Sequence, residues 1–379
     1  MGDEADGRPV KALRPEGQAP GGMAARVEGG DKARSGRVYA VFFLALLCVG
    51  FALHRAHFDW AAFFGQLRLV VWWHVAAGVG LIYGTYWLRA WRWAEFCRPT
   101  KRVHTRDVLG AQFVGFTAVA IFGRLADLAR PYLVAQRTRL PVSSQVAVYT
   151  VERMFDLGAA AVVFSSALAV TPAGLAHRDR FVRVGVGSLA ATLFLAVFAV
   201  AVRLRGDVVA AWMARVVARV SPKVAAAVKE KVLEFRQGLR AISTMREFGV
   251  AAAISLGMWL MIGGAYWQTT HAFAQTPELA SLSFSRTMLL MAASLGGSLL
   301  QLPGLGWFTQ IAATAAAMRG FFGAPIEAAT ACGAMLLCVT SLSIVPAGLV
   351  FARVEGVSLR DAGKTGEDAG ELKAEMPTR

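Results

Sequence analysis

Charged residues are scarce in this sequence, and their scarcity excludes an ordinary soluble domain. Only 17% of the 379 residues are charged, whereas 56% are hydrophobic and the mean hydropathy is +0.48. A typical soluble domain carries about 25% charged residues. The composition therefore predicts a polytopic integral membrane protein, an all-α bundle of transmembrane helices.

Cysteine is also scarce. The chain has four cysteines and no CxxC pair, and three of the four lie in apolar runs, where a thiol behaves as a small hydrophobic group: Cys48, Cys97, Cys332 and Cys338. This pattern indicates neither a disulfide framework nor a metal site. No cofactor is expected.

The two ends of the chain lack long apolar runs. Residues 1–36 are rich in Gly, Pro and Ala with mixed charge, and their first 35 residues have no apolar core followed by a cleavage site, which argues against a signal peptide. We predict disordered cytoplasmic tails at 1–36 and 353–379, and a transmembrane domain between them at 37–352.

Basic residues give the chain a net charge of +15, but they are spread over segments between apolar runs and not over one face. They therefore indicate membrane topology and no nucleic-acid partner. Residues 89–106 and 203–247 are predicted to be cytoplasmic loops, and both termini cytoplasmic. Within the second loop, apolar residues from Val224 to Ile242 follow helical spacing, which fits either binding to anionic lipid or packing against the helix ends.

Apolar runs predict about six full spans and two broken or re-entrant segments. The broken segments are Val108 to Tyr132 and Met288 to Met318, which enter from opposite sides; Pro141 and Pro325 precede the full spans that follow them. Opposite entry at matching positions predicts an inverted repeat with a binding site between the breaks. The predicted full spans are Val38 to Leu53, Leu69 to Leu88, Gln145 to Val170, Phe181 to Val202, Phe248 to Phe273 and Ala328 to Phe351.

Six charged residues lie within or beside membrane segments. A charge at the bilayer centre costs at least ~2.5 kcal/mol on insertion scales, so such groups normally pair and face an interior or a wet cavity. On a helix, Glu152 and Asp156 share one face. We predict that the six residues form a substrate site, or alternatively a structural clamp between helices: Arg124, Asp127, Arg130, Glu152, Arg153 and Asp156. In the first broken segment, Pro131 is expected to interrupt any helix.

Helix ends freed at the two breaks leave backbone N–H groups that can receive a phosphate or carboxylate. In the second break these ends lie in the sequence LPGLG, residues 302–306. We therefore add Pro303, Gly304 and Gly306 to the predicted substrate-binding residues.

Three stretches of this sequence form a recognisable set: GRLADLARPYL from Gly123, RLPVSSQVAVYTVERMFDL from Arg139 and QLPGLGW from Gln301. Together they resemble the lysylphosphatidylglycerol synthase transmembrane, or flippase-like, family. The resemblance covers roughly residues 38–352 and implies a bacterial inner-membrane protein that moves a polar-headed lipid between leaflets. Two positions depart from the family pattern: Ala126-Asp127 stands where Gly-Glu is frequent, and Thr309-Gln310 where a Glu is common.

The leading hypothesis is translocation of an anionic or polyprenyl-linked lipid. The larger synthases of the family that this sequence resembles carry a soluble aminoacyl-transferase domain after the membrane region. Only 27 residues follow Ala352 here, which is too few for such a domain, so we do not expect an enzyme. One alternative is a glycosyltransferase with a polyprenyl-linked donor, although the acids of the predicted outer loops, Asp59, Asp179 and Glu278, are scattered singly. A second alternative is a non-transporting partner of a lipid-modifying enzyme.

Overall fold

The computed structural model describes residues 58–170, 178–218, 244–297 and 305–356. Within these ranges the secondary structure is helical, with no β-strand, which confirms the predicted all-α fold. Several predictions lie outside the described residues: the tail 1–36, the tail 353–379 beyond residue 356, the span Val38 to Leu53, the apolar stripe Val224 to Ile242, and the glycine-proline turn at Pro303 and Gly304. Residues 353–355 of the second tail belong to the last helix.

The first half of the described chain consists of six α-helices and one 3₁₀ turn. The helices α1 and α2 meet at an angle of 77°. In chain order, the elements are α1 (Trp60–Arg68), α2 (Trp72–Cys97), α3 (Thr105–Phe122), the 3₁₀ helix Arg124–Leu128, α4 (Ala129–Thr138), α5 (Val142–Ala169) and α6 (Arg178–Ala218).

The second half contains a helix with a π-helical insertion. A single π turn inside an α-helix is uncommon and frequently marks a functional position. The elements are α7 (Met245–His271), α8 (Pro277–Ala280), α9 (Phe284–Gly297), α10 (Leu305–Phe322), α11 (Ile326–Leu337), the π turn Cys338–Leu342 and α12 (Ile344–Glu355).

Three described segments are long and apolar enough to cross a membrane: Val182–Val202, Met245–His271 and Ile326–Val354. They match three of the predicted full spans. The bent pair of α1 and α2 counts as a fourth if it forms one span, at the position of the predicted span Leu69 to Leu88. The helix α5 has 28 residues and matches the predicted span Gln145 to Val170, but it holds Glu152, Arg153 and Asp156 in its interior.

The helices α2 and α7 form the central pair of the bundle and run antiparallel. His74 near the start of α2 contacts Gln268 near the end of α7, whereas Arg92 near the end of α2 contacts Ser255. Between them, Gly78 lies against the backbone oxygen of Ala265. Because α2 and α7 run antiparallel, the segments that follow them start from opposite ends of the pair.

The packing of the helices is preserved when the two halves are exchanged. In the first half, α2 packs against α3, α3 against α4 and α4 against α5. In the second half, α7 packs against α9, α9 against α10 and α10 against α11 in the same order. Across the halves, the contact of α3 with α12 corresponds to that of α9 with α5. This is the arrangement expected of an inverted repeat about an axis through the α2 and α7 pair.

Matching turns precede two corresponding helices, α5 in the first half and α11 in the second. The helix α4 ends at Arg139 with φ +54°, and Pro141 two residues later is the N-cap of α5. The helix α10 is followed by Gly323 with φ +73°, and Pro325 two residues later is the N-cap of α11. A left-handed residue stops a helix and a proline starts the next, so the same local chemistry reverses the chain in both halves.

Three predictions about individual segments are wrong. Residues 89–97 belong to α2 and not to a cytoplasmic loop; the helix ends just before Pro99, where a proline disfavours helical backbone. Residues 203–218 likewise continue α6, past a non-helical Arg205, and are not part of a loop. Pro131 lies in the first turn of α4, where no N–H is needed, so it begins that helix and does not interrupt one.

Candidate functional site

A cluster of seven charged side chains lies between α2, α4 and α5. Its centre is one face of α5, where Glu152 and Asp156 stand four residues apart and are both buried. Two arginines of α2, Arg89 and Arg92, reach this face from the opposite helix. The cluster therefore fixes α2 against α5 through paired charges.

Arg92 is one of the two fully enclosed arginines of the cluster, together with Arg130. Its Nη2 lies 3.0 Å from Oε1 of Glu152 and its Nη1 lies 2.7 Å from Oδ1 of Asp156. The same Nη1 donates a hydrogen bond to the hydroxyl of Ser255 on α7. Arg92 is fully buried and therefore joins three helices, α2, α5 and α7.

Arg130 fills the space between α3, α4 and α5. Its Nε donates to Oδ1 of Asp127 at 2.6 Å and its Nη1 donates to the amide oxygen of Gln112 at 3.0 Å. Its guanidinium carbon lies 4.3 Å from the centre of the Phe116 ring. A β-carbon at Gly115 would collide with the aliphatic stem of Arg130, so only glycine leaves room for this side chain.

Arg153 is the most accessible arginine of the cluster, with 34% of its side chain exposed. Its Nη2 lies 3.0 Å from Oδ2 of Asp156 and 3.5 Å from Oε2 of Glu152. Asp127, in the 3₁₀ helix, lies 3.9 Å from Nη1 of Arg153 and accepts a hydrogen bond from Tyr149 at 2.7 Å. Arg153 thus touches all three acids.

Among the side chains that the structure describes, the cluster holds one more positive charge than negative. Four guanidinium groups, on Arg89, Arg92, Arg130 and Arg153, face three carboxylates, on Asp127, Glu152 and Asp156. Buried charges are tolerated when they are paired and hydrogen-bonded, and an unpaired one is costly. The excess of one positive charge leaves the cluster able to accept an anion.

A cavity of about 270 Å³ adjoins this cluster inside the bundle. Arg89, Asp127 and Arg153 contribute the charged part of its lining, and Gly123 lies at the break between α3 and the 3₁₀ helix. Gly123 has φ +87°, a conformation that favours glycine, and so allows the chain to turn at the cavity.

The second half supplies the remaining side of the cavity. Gly306, Trp307 and Gln310 come from the first turns of α10, immediately after the second break, while Thr340 and Ser341 come from the π turn. Residues of both breaks therefore line one cavity. Tyr266 on α7 also lines it, and its hydroxyl donates to Ser294 of α9 at 2.9 Å.

The helices α9 and α10 fold back on each other as a hairpin around the second break. Gln310 donates from Nε2 to the hydroxyl of Ser294 at 3.3 Å, and Thr309 donates to the backbone oxygen of Gly297 at 2.8 Å. A β-carbon at Gly297 would lie 2.7 Å from the backbone oxygen of Thr309. The described helices on both sides of residues 298–304 thus form the predicted broken pair.

Some of the predicted site residues line the cavity and others lie behind it in the charged cluster. Asp127, Arg153 and Gly306 line the cavity, whereas Arg130, Glu152 and Asp156 lie in the cluster and are not among its lining residues. Arg130 and Glu152, predicted as substrate-binding residues, are enclosed by the helices from α2 to α5 and do not line this cavity. The backbone of Arg124 lies in the 3₁₀ helix, but its side chain, like Pro303 and Gly304, is outside the described part of the chain.

Sequence reasoning missed Arg89 and Arg92. The count of basic residues placed them in a cytoplasmic loop, although their spacing of three residues continues the helical face of α2. No acid except Glu95 lies nearby in sequence, so their partners on α5 could be recognised only in the folded chain.

In the part of the chain that the structure describes, no group of three His, Cys, Asp or Glu side chains could hold a metal ion.

Comparison with known proteins gives one match. No curated protein and no solved structure matches the chain. The family model described as the lysylphosphatidylglycerol synthase TM region matches residues 38–348, which covers both breaks, the charged cluster and the cavity. The chain is thus an integral membrane protein and belongs to the lysylphosphatidylglycerol synthase transmembrane-region family.

Proposed function

We propose that this protein translocates a polar-headed lipid between the leaflets of the bacterial inner membrane, without catalysing a covalent step. The observation that carries the proposal is the cavity, whose lining joins the charged cluster of the first half to the second break. In inverted-repeat transporters, substrate sites lie between the broken helices of the two repeats. The family match to a lipid-handling membrane region agrees with this proposal.

The rim of the cavity favours a lipid over a water-soluble solute. Ile121 of α3 and Trp307 of α10 both line the cavity, and more than a third of each side chain is exposed. Exposed large apolar side chains on a membrane helix face acyl chains. A head group in the cavity could therefore keep its chains in the bilayer.

The charge of the cluster favours an anionic head group. Arg89 and Arg153 both line the cavity, and the cluster carries one positive charge in excess. Arginine binds phosphate through two parallel hydrogen bonds. Asp127, Glu152 and Asp156 would hold the guanidinium groups in place when no lipid is bound.

Reconstitution of the purified full chain tests the proposal. Liposomes containing phosphatidylglycerol with a fluorescent acyl chain are treated with a membrane-impermeant quencher, and the protein should make the inner-leaflet lipid accessible. Arg153→Gln should lower the rate at least tenfold by removing an exposed arginine of the cavity, ~1.4 kcal/mol per tenfold change. Glu152 and Asp156 keep Arg92 as a partner, so this variant should remain folded.

Arg98→Gln is the matched control, because Arg98 is 60% exposed and pairs only with its neighbour Glu95 among the described ion pairs. It should transfer lipid at the wild-type rate. Equal transfer by empty liposomes and by protein-containing liposomes would refute the proposal. Full activity of a folded Arg153→Gln variant would favour the clamp function of the cluster.

A further inference from the structure

We infer that the lipid head group combines a phosphate with an uncharged end that carries hydroxyl groups, and that a head group ending in an ammonium is excluded. This inference rests on the proposed function and specifies the substrate class of the same cavity. The observation behind it is that the charged residues of the described lining all come from the first half of the chain, whereas those from the second half are uncharged.

The charged part of the lining is suited to phosphate. Arg89 and Arg153 are the two cations of the described lining. Arg89 contacts Asp156 through Nη1, whereas Arg153 contacts Asp156 through Nη2 and Asp127 through Nη1. Asp127 is the one carboxylate among the described lining residues, and both of its oxygens are already engaged, one by Arg130 at 2.6 Å and the other by Tyr149 at 2.7 Å. An incoming ammonium would have to compete for Asp127 with the hydrogen bonds from Arg130 and Tyr149 and with the nearby charge of Arg153.

The second half of the chain contributes neutral hydrogen-bonding groups to the lining. These are Tyr266, Gln310, Thr340 and Ser341, and no Asp, Glu, Lys or Arg is among the described lining residues contributed by the second half. Hydroxyl and amide groups both donate and accept, so they match the hydroxyls of a polyol or sugar. A buried ammonium there would have no counter-charge, and burying an uncompensated charge is strongly unfavourable.

The size of the cavity limits the ligand to a head group. Its volume of about 270 Å³ lies just below the range of ~300 to 1,000 Å³ typical of pockets that enclose a small molecule. A phosphate with a glycerol or a single sugar has a volume that fits this cavity. The acyl or polyprenyl chains would have to extend out of the cavity past Ile121 and Trp307. Two lipid sources share this chemistry: a glycerophospholipid and a polyprenyl phosphate sugar.

The test is a competition in liposomes reconstituted with the full chain. Phosphatidylglycerol and phosphatidylethanolamine carry the same fluorescent acyl chain, and a third arm uses a short-chain polyprenyl phosphate sugar. We expect transfer of phosphatidylglycerol, of the polyprenyl lipid or of both to exceed that of phosphatidylethanolamine about tenfold. The arm that is transferred identifies the source of the head group.

Gln310→Glu places a carboxylate among the neutral lining residues of the second half. It should lower the ratio of phosphatidylglycerol to phosphatidylethanolamine transfer about tenfold, because it repels phosphate and attracts ammonium. The two rates are measured in separate liposomes reconstituted from one protein preparation, so partial unfolding lowers both rates and leaves their ratio unchanged. Gln310→Leu, which adds no charge, should keep the preference for phosphatidylglycerol over phosphatidylethanolamine.

Gln268→Glu is the matched control, since Gln268 lies on α7 outside the cavity lining and contacts His74. It should leave the ratio at the wild-type value. Equal transfer of phosphatidylglycerol and phosphatidylethanolamine by the wild type would overturn this inference and leave the proposed function standing. Transfer of no lipid in any arm would overturn both, and an unchanged ratio in a folded Gln310→Glu variant would show that the neutral lining residues do not select the head group.

Discussion

Nη1 of Arg92 lies 2.7 Å from Oδ1 of Asp156, 64 residues later in the chain, and both side chains are buried. The pair joins the end of α2 to the middle of α5, and Arg92 also donates a hydrogen bond to the hydroxyl of Ser255 on α7. The contact thereby anchors α5 to the central pair of α2 and α7. The stability of the bundle and the shape of the cavity should both depend on this contact.

Arg92→Met should lower the free energy of unfolding by about 3 kcal/mol, because it breaks a buried ion pair. This value is at the lower end of the usual cost, since Asp156 retains Arg89 and Arg153 as ion-pair partners. Arg98→Met removes an exposed pair and should change stability by less than ~1 kcal/mol. The measurement is reversible unfolding in mixed detergent micelles. Equal stability of the two variants would contradict the role of Arg92.

Gly115→Ala should displace the side chain of Arg130 and with it the contact to Asp127, because the new methyl group occupies the place of the arginine stem. Overpacking of this kind costs ~1 to 3 kcal/mol. Gly158→Ala, on the exposed surface of α5, meets no atom within 4 Å and should gain up to ~1 kcal/mol from helix propensity. Unfolding and lipid transfer measured on both variants would separate them; matching results would refute the packing argument.

Gly297→Ala and Gly296→Ala form a pair of neighbouring substitutions with opposite expected results. A methyl group at 297 meets the backbone oxygen of Thr309 at 2.7 Å, whereas one at 296 meets nothing within 4 Å. We expect Gly297→Ala to open the hairpin of α9 and α10 and to reduce lipid transfer, with Gly296→Ala unaffected. A fully active Gly297→Ala protein would show that the hairpin does not need this close approach.

Membrane topology can be checked by cysteine labelling in a background without the native cysteines. Arg215→Cys in the basic region and Gln275→Cys between α7 and α8 are both exposed positions, whereas the neighbouring Leu279 is fully buried and would not label. The positive-inside rule places residue 215 in the cytoplasm and residue 275 outside. Labelling of both from the same side would exclude this topology.

The sequence by itself determined the class of the fold and the position of both breaks. Hydrophobic composition requires a membrane helix bundle, since backbone groups in lipid must be hydrogen-bonded within the segment. Proline and glycine are local signals, and so Pro141 and Pro325 marked the starts of α5 and α11 correctly. The spacing of Glu152 and Asp156 likewise predicted one shared helix face.

Only the tertiary structure decided which cations meet those acids. Arg89 and Arg92 lie 60 to 67 residues from Glu152 and Asp156, and their positive charge in sequence indicated a cytoplasmic loop. A one-dimensional charge count treats every arginine as a topological signal, whereas a buried arginine is stabilised by partners that the fold brings from other helices. The same holds for the cavity: Arg153 and Gln310 come to line one space only because α2 and α7 pack antiparallel and bring the two breaks together.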